Sequence, residues 1–213
     1  MVKPSTEPDQ SPFRSPGDRI EERERKREAV LVAAVRMFNS RGFHATSLDD
    51  VAVSLGVTRP VVYHYLGNKD QVLFECVRRG LEQLQDAARK ASNHPGNGLA
   101  RLRAFLIRYA EINMDDFGRC VIRTGDELLS DESATRFRSL KREVDQSLRA
   151  LIEDAVWDGS LATTDVRFTA FALAGALNWP ARWYRPDGTE TAGEVAEKLV
   201  DILLRGLLPT SAC

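Results

Sequence analysis

Apolar residues recur along this chain with a period near 3.6 and nowhere sustain the alternation of a strand, which predicts helices throughout. Leu31, Ala34, Val35 and Phe38 fall on one face, and the charged run RIEERERKRE before them fits the solvated early turns of the same helix, starting at Asp18. Gly42, within RGF at 41 to 43, is placed to end it as a left-handed cap. Ser47 followed three residues later by Asp50 is a capping-box start, and Leu48, Val51, Ala52 and Leu55 trace an apolar face over two turns. Gly56 permits a sharp turn, and Val57 can fill the angle between helices. Thr58 can cap a third helix whose first turn tolerates Pro60, because its missing N–H has no helical partner there. In that helix Val62 and Tyr65 face inward, leaving Arg59, Tyr63 and His64 outward. Asn68 with Gln71 opens a long helix that buries Val72, Leu73, Cys76 and Leu84.

HPGNG at 94 to 98 is the clearest breaker in the middle of the chain. Beyond it Leu102, Phe105, Leu106, Tyr109 and Ile112 form another helical face, which DFG at 116 to 118 is expected to break. A long helix from about 132 to 157 carries Leu140, Val144, Leu148, Leu151 and Ala155, and Gly159 closes it. The segment from about 164 to 184 is apolar on nearly every side and rich in small residues, with Pro180 expected to kink or end it. A last helix over 194 to 208 has Val195, Leu199, Ile202 and Leu203 in register. Four prolines and no apolar period mark residues 1–17 as a disordered arm. The expected fold is all-α: a three-helix, helix-turn-helix domain over 18–67, then a second helical domain over 68–213.

Composition adds mainly exclusions. With 213 residues, 43% hydrophobic and 29% charged, the chain is ordinary for a soluble globular protein. Three scattered cysteines without a CxxC pair indicate neither a disulfide framework nor a metal site, and a reducing cytoplasm fits best. The longest apolar run, AFALAGAL, is too short to span a bilayer, so no membrane association is expected. Histidines 44, 64 and 94 are scattered, and no GxSxG, HExxH, P-loop or dinucleotide fingerprint occurs, which argues against an enzyme and against a bound cofactor. Net charge is only −1, but between Arg14 and Arg79 twelve Lys or Arg stand against nine Asp or Glu, a local +3 that leaves −4 elsewhere.

Two short helices joined at a glycine turn make a unit that sets its second helix into the major groove of DNA. The stretch FNSRGFHATSLDDVAVSLGVTRPVVYHYLGNKDQVL resembles the N-terminal domain of the TetR family of one-component repressors: an aromatic and glycine before a Thr-rich cap, then Gly-Val-Thr, Tyr-x-aromatic, and Lys before Leu. The resemblance covers about fifty residues. It implies a palindromic double-stranded DNA operator, phosphate contacts from Thr46, Ser47, Tyr63 and Lys69, and Thr58, Arg59, Pro60 and His64 at or near bases. Pro60 stands where the family often has a small residue or glycine, and Gly67 with Asn68 replaces a serine-type cap. Plainer readings stand beside these: Tyr63 covering the seam between helices, Lys69 as a solvated first-turn charge, His64 as a surface histidine. Arg59 is the strongest base reader, since a guanidinium can bind guanine O6 and N7 together.

One such unit makes too few contacts for operator specificity, so a homodimer is expected, formed through the last two helices. Ala170, Ala174 and Gly175 would allow close approach there, and Leu199, Ile202 and Leu203 would supply apolar area; the alternative is that these residues are intramolecular core. In GALNWPARWYRPDG at 175 to 188, Trp179 and Trp183 lie four apart. They could wall a pocket with Phe105, Tyr109, Val144 and Leu148, or belong to the core, and Asn178 needs a partner if buried. This stretch resembles the C-terminal signature of a TetR branch that responds to acyl-CoA thioesters of fatty-acid, branched-chain and steroid-ring degradation. The resemblance implies a small-molecule effector, an acyl-CoA, whose phosphates could meet arginines among Arg119, Arg123, Arg182 and Arg185.

Overall fold

A computed structural model describes residues 16–206 of the chain; the rest of the expected arm, residues 1–15, lies outside them. The described residues form ten α-helices and no strand. Helices α1 (Pro16–Arg41), α2 (Leu48–Ser54) and α3 (Arg59–Leu66) pack on one another as an N-terminal head. The expected face of α1 is its core: Leu31, Ala34 and Val35 are fully buried and meet Leu48, Val51 and Val62. Gly42 and Gly56 adopt φ of +87° and +64°, the left-handed conformation that ends α1 and turns the chain from α2 toward α3.

Helix α4 (Lys69–Ser92) starts two residues after α3 and runs through the body, packing on α5 (Gly98–Met114), α6 (Asp116–Arg123) and α7 (Asp131–Trp157). Both expected capping boxes form: Ser47 with Asp50, and Asn68 with Gln71. Helices α8 (Val166–Asn178), α9 (Pro180–Trp183) and α10 (Ala192–Arg205) complete the body. Pro180 does interrupt the helix expected over 164–184, and it opens α9.

Two elements depart from the sequence pattern. The break expected at DFG occurs one residue earlier, at Asp115, and DFG at 116–118 is the first turn of a further helix, α6, because Asp115 caps it by accepting from the Gly118 N–H at 2.9 Å. Gly118 is there for room: a Cβ would lie 1.9 Å from the Ile112 carbonyl oxygen. In α10 the buried face is Val195, Ala196, Val200 and Leu204, while Ile202 is 65% exposed, so Ile202 is out of the expected register. Ala170 is wholly buried within its own subunit and cannot touch a partner.

Candidate DNA-binding surface and ligand cavity

The sequence of α3 sorts its residues by face. Val62 and Leu66 are buried against α1, and Thr58, Arg59, Pro60, Tyr63 and His64 are exposed. Thr58 takes the backbone angles of an N-cap, yet its hydroxyl makes no capping bond, so it stays available to a ligand. The Arg59 guanidinium is held across the turn by Asp49 of α2, Nε to Oδ1 at 2.9 Å, and by the Tyr63 hydroxyl, which accepts from Nη2 at 3.2 Å. It also lies 5.2 Å from the centre of the Tyr63 ring. Lys69 rests its ammonium 4.2 Å from the centre of the Phe43 ring; burial lowers its pKa, against the opposing pull of Asp50. Ser47 is exposed beside the same surface, but its hydroxyl and its N–H both donate to the Asp50 carboxylate, at 2.7 and 2.8 Å, so it has no donor left for a phosphate.

Thr46 corrects the expected set. It is 1% exposed, and its hydroxyl donates to the Gly42 carbonyl at 2.9 Å, with the Met37 carbonyl at 3.3 Å. Its oxygen is consumed in holding the loop between α1 and α2, leaving nothing to offer a phosphate.

A cavity of about 590 Å³ opens among α4, α5, α6, α7 and α8. Of the expected ligand residues, Tyr109, Val144, Leu148 and Asn178 line it. Phe105 does not: it is fully buried behind Tyr109, the ring centres 5.7 Å apart. Trp179 and Trp183 are 62% and 46% exposed and do not line it: α9 packs on α5 and α6 through the buried Pro180 and Ala181, and both indoles are left open to solvent. Arg123 is also elsewhere, donating to the Asn39 and Ala181 carbonyls and so tying α6 to α1 and α9. Burial lowers the Arg123 pKa, and the charges of Arg119 and Arg182 lower it further, so Arg182 belongs to that corner and not to the cavity wall.

The cavity wall includes residues the sequence reading missed: Leu81 and Leu84 of α4, Phe171 of α8, and Lys141, Arg142 and Arg149 of α7. Lys141 stands three residues before Val144, and Arg142 and Arg149 stand three residues before and four after Asp145, so these residues lie on adjoining stripes of α7, and that spacing was the available signal. Asp145 is the acidic residue of the wall and pairs with Arg149 at 2.6 Å. At the cavity wall, burial pushes the Tyr109 hydroxyl pKa up, keeping it protonated to donate to Asn178 Oδ1 at 2.8 Å. Asn113 donates to the same oxygen at 3.0 Å.

A head with an exposed second helix, joined by one continuous helix to a cavity-bearing bundle, has close relatives. Residues 30–76 match the model described as bacterial regulatory proteins of the tetR family, and residues 95–207 match that of the tetracyclin repressor-like C-terminal domain. The chain belongs to the TetR family. It is therefore a helix-turn-helix, DNA-binding transcription regulator and not an enzyme. It is similar to the HTH-type transcriptional repressor KstR2 of Rhodococcus jostii, with 29% identity covering 90% of this chain and 96% of that one. The TetR-family regulator PfmR of Thermus thermophilus superposes with a TM-score of 0.76 at 31% identity, over 83% of this chain and 97% of PfmR. AibR, solved with isovaleryl coenzyme A and operator DNA, shares the fold at a TM-score of 0.74 and 23% identity, over 84% of this chain and 98% of AibR. Among the described residues no helix is long and apolar enough to cross a membrane.

Proposed function

We propose that this chain is a ligand-responsive transcriptional repressor that binds a palindromic operator as a homodimer and releases it when an acyl-CoA thioester of lipid or steroid catabolism fills the body cavity. Residues 18–67 serve as the reading head, and 68–213 as the ligand-binding and dimerising body, at work in the cytoplasm. Thr58, Arg59, Pro60 and His64 lie at the bases, and Tyr63 and Lys69 at phosphates. Tyr109, Val144, Leu148 and Asn178 receive the acyl part, while Lys141, Arg142 and Arg149 favour an anionic ligand.

The observation that carries this reading is the path of α4. Its first residue, Lys69, stands at the DNA-facing head, and Leu81 and Leu84 of the same helix line the cavity. At about 1.5 Å per residue, one rigid rod thus spans about 20 Å between the two sites. A ligand that prefers a tilted α4 favours the conformer whose two heads misfit the operator, and nothing more is needed for coupling. The TetR resemblance of residues 175–188 to acyl-CoA-responsive regulators, and the isovaleryl coenzyme A held by AibR in this fold, support the choice of ligand.

The test is fluorescence anisotropy on a duplex footprinted upstream of the protein's own gene, titrated with isovaleryl-CoA, decanoyl-CoA, free CoA and tetraphenylphosphonium. We expect at least one acyl-CoA to weaken operator binding about fivefold or more while free CoA and the lipophilic cation leave it unchanged. Release by tetraphenylphosphonium alone would replace this reading with that of a sensor of lipophilic cations.

A further inference from the structure

Asp49 is an awkward residue for its position. It lies in the first turn of α2, exposed on the side of the head that carries α3, where a carboxylate would repel phosphates. It is not needed to cap α2, because the neighbouring Asp50 fills that role with Ser47: its carboxylate accepts from the Ser47 N–H at 2.8 Å, and the Ser47 hydroxyl accepts from the Asp50 N–H at 3.1 Å. Its side chain instead reaches over the turn to the Nε of Arg59, on the other helix of the motif.

The geometry of Arg59 shows what this contact does. Asp49 lies against the Nε edge of the guanidinium as an ion pair, and of the five N–H groups Tyr63 accepts from one on Nη2; setting that one and the Nε–H beside Asp49 apart leaves the outer edge. Three remain, enough for a two-point bond to guanine O6 and N7. The contacts from Asp49 and Tyr63 also fix the plane of a side chain that otherwise samples many rotamers, so less freedom is lost when it enters the groove. In water an ion pair this exposed is worth little, but at a DNA interface that excludes water the same pair strengthens.

We propose that Asp49 is a positioning residue for base readout, holding Arg59 from the far side of the turn so that its outer edge presents to a guanine. The proposal rests on α3 being the recognition helix, and the experiment separates the two. Selection from a randomised duplex library is run with the full-length wild type, Asp49→Ala, Asp49→Asn, Arg59→Ala and the Asp49→Ala/Arg59→Ala pair, each checked for a native circular dichroism melt. The wild type should enrich a guanine in each half-site, and Arg59→Ala should lose it. Asp49→Ala should reduce the preference at that same position about tenfold, and the double variant should lose no more than Arg59→Ala alone. Asp49→Asn, isosteric and a weaker acceptor, should fall between, and it carries the test should the alanine variant not fold. If Asp49→Ala keeps the guanine and binds every duplex more tightly, Asp49 is only a repulsive charge and the proposal is wrong. A changed preference at a different position, with the guanine kept, would mean Asp49 reads a base itself and would equally overturn it. Wild-type protein that enriches no sequence would remove the recognition-helix reading together with the proposal.

Discussion

At Lys69 two demands meet in one side chain. The ammonium lies over the Phe43 ring, partly desolvated, at the N-terminal turn of α4, where backbone N–H groups already favour an anion. On the proposed reading, a cation held there contacts a phosphate and reads no base. Lys69→Ala is therefore expected to weaken binding by a similar factor on operator and random duplex, and to lower the slope of log affinity against log salt by about one, measured between low and moderate salt. An equal slope for variant and wild type would remove Lys69 from the contact set. Single residues differ in how far the sequence exposes their role. Ser47 with Asp50 and Asn68 with Gln71 were legible because a cap is a local pattern of two residues three apart, and both boxes form. Thr46 was not, because a hydroxyl before a helix reads the same whether it points to solvent or back at the Gly42 carbonyl. Trp179 and Trp183 share a face by their spacing, but spacing does not say which side of the helix the rest of the chain will cover.

At the scale of elements, what matters is how α4 is held at its start and at its middle. Near its start, Asp70 clasps the first turn of α7: its carboxylate accepts from the Ser130 N–H at 2.7 Å and from the hydroxyls of Ser130 and Ser133 at 2.9 and 2.7 Å. Further along, Gly80 lets α6 approach so closely that a Cβ would lie 2.7 Å from the Phe117 carbonyl oxygen. Burial alone would raise the Asp70 pKa, but the hydrogen bonds from Ser130 and Ser133 outweigh it and hold the carboxyl below its ordinary value of 3.8. A carboxyl with a depressed folded pKa adds stability that is complete above the unfolded value and is lost as the pH falls through the folded one. The melting temperature of wild type should thus exceed that of Asp70→Asn at pH 7, and the gap should close as the pH falls below about 4. A gap that stays constant down to pH 3 would mean the clasp does not depend on charge. Neither contact could be seen in the sequence, since Asp70 and Ser130 are sixty residues apart and meet only once α4 and α7 are packed. The helices themselves were legible from their apolar faces, and α6 was missed because Gly118 reads as a breaker until its crowding against Ile112 is known.

For the whole molecule, the decisive feature is an apolar surface that one subunit leaves uncovered. Phe168 and Phe171 of α8 are 69% and 48% exposed, Ile202 of α10 is 65% exposed, and Trp179 and Trp157 lie open as well. Phe168 and Leu203 share a shallow cleft where α8 meets α10, so the two helices present apolar side chains along their seam. Exposed apolar side chains on these two helices fit the proposed homodimer, in which an isologous pairing of α8 and α10 would bury them. Phe168 and Ile202, being mostly exposed, contribute little to the subunit's own core. Phe168→Glu or Ile202→Glu should leave the helical content unchanged, yet shift the sedimenting species from dimer to monomer. Operator affinity should fall by tenfold or more, since a monomer can engage one half-site only. Binding to random duplex, which depends on phosphates and not on spacing two heads about 34 Å apart, should fall much less. If the glutamate variants remain dimeric, the subunits pair elsewhere, and the spacing of the two α3 helices must be set by some other face.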